Sequence, residues 1–267
     1  MKLFHRIYGD GPPLIILHGL FGSSDNWSTI AKHLSDTFMV ILPDQRNHGK
    51  SPHSDIHDYD SMRDDLHELI ESLGINKFFL AGHSMGGKTA IAYALKWPEM
   101  LNGLLVADIS PFKGGSSSRT EYTKHSNILK SMLSLDLSQI SSREEAEKAL
   151  ASSGLEENLT GFILKNLHRT SEKHFDWKIN APALLRNLDR IMEPIDRQNA
   201  YNYQVTGFPV IFLKGNKSDY LPDEDFADIR KIFPAAEFVE IENAGHWIHA
   251  DNPGEVIVNM RKMLNGI

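Results

Sequence analysis

The chain has 267 residues, 41% of them hydrophobic and 24% charged, with a formal net charge of −7. That length suits one α/β domain or one domain with an insertion, and the apolar fraction is enough to bury a sizeable core. The charge argues against a dedicated nucleic-acid or anionic-membrane surface, and the lack of cysteine excludes a disulfide, a thiolate metal site and a thiol nucleophile.

The N-terminal MKLFHRIYGDG has no long apolar segment followed by a small-residue cleavage site. No stretch approaches a membrane-spanning length, so a soluble, cytoplasmic protein without membrane insertion is expected. Leu3 to Tyr8 reads as a first strand. Leu14 to Leu17 is a continuous apolar run of the kind an interior strand needs, and it ends at His18-Gly19-Leu20-Phe21-Gly22-Ser23. Ser28 to Leu34 reads as a helix and Phe38 to Leu42 as a strand, closed by the polar turn Asp44 to Ser51. Met62, Leu66, Leu69, Ile70 and Leu73 share one face of a helix over Tyr59 to Leu73, which Gly74 ends. Phe78 to Ala81 is a buried strand, Lys88 to Trp97 a helix stopped near Pro98, and Leu101 to Ala107 another buried strand. Strands alternating with helices predict a mostly parallel sheet covered on both faces.

The rhythm breaks after Phe112. Lys113 to Ser118 (KGGSSS) reads as a flexible connector, and the segment beyond it looks helical. Ser142 and Glu145 form a capping box that opens a helix over Arg143 to Leu150. Glu156 to Leu167 and Ala183 to Asp189 are further candidates. Residues 114–203 are therefore expected to be an inserted helical cap, with 1–113 and 204–267 forming the core. The alternation resumes with a strand at Val210 to Leu213, a helix at Asp223 to Phe233, a strand at Phe238 to Ile241 and a closing helix at Pro253 to Leu264, with proline in its first turn.

Between the fourth strand and its helix lies Gly82-His83-Ser84-Met85-Gly86, which fits G-x-S-x-G. A serine hydroxyl is a weak nucleophile, so the chemistry needs it held out at a sharp strand-to-helix turn where a base can reach it. Flanking glycines let the backbone pass close by, and the following helix aims its N-terminal N–H groups at developing negative charge. Gly82 to Thr89 (GHSMGGKT) also satisfies the phosphate-binding G-x-x-x-x-G-K-[ST], and Leu104 to Asp108 looks like the apolar strand ending in a magnesium-binding Asp. A P-loop nucleotide-binding protein is thus one alternative. It gives no reason, however, for His18-Gly19, for Asn47-His48-Gly49 or for the terminal Gly245-His246-Trp247. A non-catalytic ligand-binding protein of the same fold is another, but it would be expected to have lost Ser84 or His246.

HGLFGS at 18–23, D-x-RNHG at 44–49, GHSMGG at 82–87, ADISP at 107–111 and AGHWIHAD at 244–251 together resemble α/β-hydrolases, and more narrowly YbfF-type esterases, over nearly the whole chain. The resemblance implies the α/β-hydrolase fold with a cap and a serine hydrolase cleaving a small-molecule ester or thioester through an acyl-enzyme. It implies no cofactor or metal. Ser84 would be the nucleophile and His246 the general base and acid. The backbone N–H of Met85 would form one side of the oxyanion hole and that of Leu20 the other, with Phe21 lining the pocket. Many relatives place the acid in a G-x-x-D turn, but here Gly215-Asn216-Lys217-Ser218 holds serine in that slot. Asp108 is the preferred acid, and Asp219 is the alternative. His249, three residues after His246, suggests a His-x-x-His metal pair but lacks the glutamate and cysteine that would support one, so it reads as packing. Trp177, Leu184, Leu185, Leu188, Ile191 and Met192 are candidates to line an acyl site from the cap.

Overall fold

The computed structural model describes residues 1–112 and 119–266, so the Gly/Ser connector expected at 113–118 lies outside the described residues. The first half of the core comprises strands β1 (His5–Tyr8), β2 (Pro13–Leu17), β3 (Met39–Pro43), β4 (Phe78–His83) and β5 (Leu101–Ala107), with helices α1 (Ser28–Leu34), α2 (Tyr59–Ser72) and α3 (Met85–Lys96). The segment that follows holds α4 (Arg119–Ser134), α5 (Arg143–Ser152), α6 (Glu157–Leu164), β6 (Leu167–Arg169), β7 (Phe175–Trp177), α7 (Ala181–Arg186), α8 (Leu188–Met192) and α9 (Arg197–Ala200). Strand β8 (Val210–Gly215), helix α10 (Phe226–Ile232), strand β9 (Ala236–Ile241) and helices α11 (Ile248–Asp251) and α12 (Pro253–Lys262) complete the core.

Seven strands form one sheet in the order β1-β3-β2-β4-β5-β8-β9. Only β1 pairs antiparallel, against β3. The inner strands read as unbroken apolar runs because both faces are covered, and alternate side chains go to opposite sides. Ile15, Leu17, Phe78, Leu80, Leu104, Val106 and Phe212 pack into one layer with residues of α2, α3 and α10. Leu14, Ile16, Phe79, Ala81, Leu105, Ala107 and Leu213 pack into the other with α1 and α12. Each such Leu, Ile or Phe contributes about 1.5–3 kcal/mol by leaving water.

The segment between β5 and β8 has its own apolar cluster, built from Leu129, Met132, Ile163, Leu167, Trp177, Leu184 and Leu188 among others. Phe21, Met62 and Met85 of the core join that cluster, so the cap is packed onto the core beside Ser84. Polar ties reinforce the seam. The Tyr59 hydroxyl donates to the Ile191 carbonyl at 2.6 Å, Asn166 Nδ2 to the Phe21 carbonyl at 2.9 Å and Asn187 Nδ2 to the Asp55 carbonyl at 2.7 Å.

The cap is not wholly helical, contrary to expectation. Strands β6 and β7 form an antiparallel hairpin, and the helix expected to run to Leu167 stops at Leu164. Lys173, in the hairpin turn, has φ 68°, and Arg143 reaches across to cap the Leu164 and Leu167 carbonyls. Other boundaries shift as well. The helix expected over Ala183 to Asp189 is divided at Asn187, and the helix after the G-x-S-x-G turn starts at Met85 rather than Lys88. Among the described residues no helix is long and apolar enough to cross a membrane.

Candidate active site

The site lies beyond the carboxyl ends of the central strands, where open α/β sheets bind their ligands. Adjacent strands β4 and β5 are in register with His83 opposite Ala107, so the residues that follow, Ser84 and Asp108, leave the sheet side by side. Both take a left-handed conformation, Ser84 at φ 53° and Asp108 at φ 50°, which costs a non-glycine residue on the order of 1–3 kcal/mol. The Ser84 N–H donates to the Ala107 carbonyl at 3.1 Å and the Asp108 N–H to the Leu213 carbonyl at 2.8 Å, which fix the two turns. The Ser84 turn tolerates no side chain at Gly82, because a Cβ there would come within 2.2 Å of the Gly86 carbonyl oxygen.

His246 arrives from the far edge, in the loop between β9 and α11. Its Nε2 is 3.0 Å from Ser84 Oγ and its Nδ1 is 2.7 Å from Asp108 Oδ2. The Asp108 carboxylate is fully buried. It accepts from the Gly215 N–H at 2.9 Å through Oδ1 and from the Ser218 hydroxyl through Oδ2, so a carboxylate out of water is compensated by three donors. Tyr220 stacks on the His246 ring with centroids 3.7 Å apart, and His83 Nε2 donates to the His246 carbonyl at 2.7 Å. Burial holds His83 well below the ordinary histidine range, so it is a neutral support with one N–H to give.

The loop after β2 forms the wall opposite the helix. A Cβ on Gly19 would meet His83 Nδ1 at 2.9 Å and Ser84 Cβ at 3.3 Å, so only glycine lets this loop approach so near. His18 Nε2 accepts from the Gln45 N–H at 2.9 Å, and His48 Nε2 accepts from the Phe21 N–H at 3.3 Å. Asp44 accepts from the Ser24 and Lys50 N–H groups. These residues brace the loop. The Phe21 N–H is engaged, whereas no acceptor among the described residues takes the backbone N–H of Leu20 or of Met85.

Asp219, the alternative acid, is exposed, and the Nδ1 of His246 is taken by Asp108. His249 stacks on Trp27 at 4.5 Å, and no group of three potential metal ligands exists among the described residues. Gly82 to Thr89 does not form a phosphate loop. Residues from Met85 onward are helical, Lys88 Nζ is buried and donates to the Glu193 carbonyl at 2.9 Å, and Thr89 Oγ1 bonds within its own helix. Of the six cap residues considered for an acyl site, Ile191 and Met192 line a cavity at Ser84, whereas Trp177, Leu184, Leu185 and Leu188 pack within the cap. Sequence reasoning missed three residues here. Ser218 was visible as the serine filling the usual acid slot. Tyr220 and His125, the latter on α4 and lining the cavity, carry no local signal because only tertiary folding brings them to Ser84.

A model of the family described as alpha/beta hydrolase fold matches residues 12–253. The chain belongs to the α/β-hydrolase family. Among its α/β-hydrolase relatives is a protein of Danio rerio named sn-1-specific diacylglycerol lipase ABHD11, 37% identical over 252 residues that cover 93% of this chain and 77% of that one. Esterase YbfF of Escherichia coli (strain K12) is 29% identical over 253 residues, covering 95% and 93%. A solved α/β-hydrolase structure titled Marine microorganism esterase superposes with a TM-score of 0.92 at 42% identity, covering 98% of this chain and 99% of that one.

Proposed function

We propose that this α/β-hydrolase cleaves carboxylic esters or thioesters by nucleophilic catalysis at Ser84. The observation that carries the reading is the unbroken relay from Ser84 Oγ to His246 Nε2 at 3.0 Å and from His246 Nδ1 to Asp108 at 2.7 Å. The esterase and lipase names of the relatives support the same bond class.

In this scheme Ser84 Oγ attacks the acyl carbon as its proton passes to His246 Nε2. The carbonyl oxygen becomes an oxyanion facing the N–H groups of Leu20 and Met85, and removal of one such donor costs about 2.7–4 kcal/mol. Asp108 holds the imidazole tautomer and stabilises the imidazolium. The tetrahedral adduct collapses, the bond to the leaving oxygen or sulfur breaks, and that atom takes the proton from His246. Water then repeats the sequence on the acyl-Ser84 ester and releases the acid.

The test is hydrolysis of a panel of p-nitrophenyl esters and acyl-CoA thioesters by wild type and Ser84→Ala. Turnover in the wild type with a loss on the order of 10⁴-fold or more in the variant is expected. Activity retained by Ser84→Ala would remove this mechanism.

A further inference from the structure

Ser84 lies between two cavities of unequal size. One, about 30 Å³, is bounded by Ser84, Met85, Ile109, Ile191 and Met192 and does not include His246. The other, about 300 Å³, is bounded by Ser84 and His246 together with Phe21, Ile128, Leu159, Phe162 and Trp247. Leu20, His125 and Tyr220 border both, so the two meet at the nucleophile.

Which side of the substrate enters which cavity follows from the proton. The group that protonates the leaving atom must be within hydrogen-bond reach of it. With His246 in that role, the leaving alcohol or thiol lies in the cavity that His246 lines. The acyl substituent, on the other side of the tetrahedral carbon, faces the cavity without it. We infer that this enzyme takes esters of short acyl groups on bulky apolar alcohols or thiols, the acyl side being limited to about two to four carbons. The inference rests on the serine-hydrolase reading above and assigns the substrate class of that same site.

The sizes decide the limit. A single water needs roughly 10–15 Å³ of such space, so about 30 Å³ takes a methyl to a propyl group beyond the carbonyl. The larger cavity, at about 300 Å³, reaches the lower end of the range that holds whole organic ligands, roughly 300–1,000 Å³. The walls differ in chemistry as well as size. The small cavity is also bordered by Lys88 and Glu121, and the buried Lys88 Nζ is held by the Glu193 carbonyl. A longer alkyl chain would have to press on these polar heads or displace Ile191, whose carbonyl is tied to Tyr59. The large cavity has Lys124 and Asp251 on its border too, but it adds the aromatic and aliphatic side chains of Phe21, Ile128, Leu159, Phe162 and Trp247.

A matched pair of esters tests this. Octyl acetate and methyl nonanoate are isomers with similar intrinsic reactivity, and they divide the same carbons in opposite ways. With both below their solubility limits, kcat/KM for octyl acetate is expected to exceed that for methyl nonanoate by about tenfold or more, the lower end of what one misplaced methylene decides in a closed pocket. Met192→Ala should enlarge the acyl side and reduce that ratio several-fold by raising the methyl nonanoate rate. Equal rates, or a preference for methyl nonanoate, would overturn the assignment if both activities vanish in Ser84→Ala. Activities that survive Ser84→Ala would overturn the reading on which it rests.

Discussion

The proposed acid is chosen at the scale of single side chains. Asp108 is buried, accepts three hydrogen bonds and faces His246 Nδ1, whereas Asp219 is exposed. Asp108→Asn is therefore expected to lower kcat by about 10⁴-fold, because an amide cannot hold the productive tautomer or stabilise an imidazolium. Asp219→Asn should stay within about threefold of wild type, as expected for an exposed side chain outside the relay. Steady-state kinetics on one p-nitrophenyl ester settle the comparison, and the opposite ranking would move the role to Asp219. Sequence left both open for a physical reason. Ser218 occupies the position where the acid is commonly found, and its hydroxyl instead serves Asp108 from the neighbouring loop. Spacing along the chain does not show that β5 and β8 are adjacent, and that adjacency is what makes the exchange workable.

At the scale of elements, the parallel strands were legible because burial on both faces writes itself as uninterrupted apolar residues. The hairpin in the cap was not. Its strands have three residues each, too few to display a period of two against a background of helices. Trp177 on β7 nevertheless anchors the cap. Its Nε1 donates to the Met132 carbonyl at 3.2 Å, and its ring packs among the cap's apolar residues. Trp177→Ala is expected to cost about 3–5 kcal/mol of stability. A urea titration would show this as a lower midpoint, or as a separate early transition if the cap opens alone. A midpoint unchanged within about 0.5 kcal/mol would mean that the hairpin is not a support of the cap.

Across the whole molecule, an unusual share of titratable rings is out of water. His18, His48, His57 and His83 are all buried. Burial lowers the affinity of each for a proton, holding His48 and His83 well below the ordinary range and bringing His57 to about 3. Their folded values lie below the unfolded value near 6.5, so below that pH the unfolded chain binds protons that the folded chain refuses. Stability from these groups is complete above about pH 6.5 and is lost as pH falls. Each such proton contributes a slope of up to about 1.4 kcal/mol per pH unit. Urea unfolding between pH 6.5 and 5 should give a slope several times that of one histidine. A flat profile across that interval would show that these rings already carry protons in the fold.

The proposed mechanism comes down to one hydroxyl, Ser84 Oγ, beside a ring brought from the far end of the sequence, His246 Nε2 at 3.0 Å. The most direct measurement is intact and peptide mass spectrometry after reaction with a fluorophosphonate, which traps an activated serine. A single adduct on the peptide containing Ser84 is predicted, absent in Ser84→Ala and formed far more slowly in His246→Ala. An adduct on any other residue, or none on an enzyme still hydrolysing esters at full rate, would contradict the account.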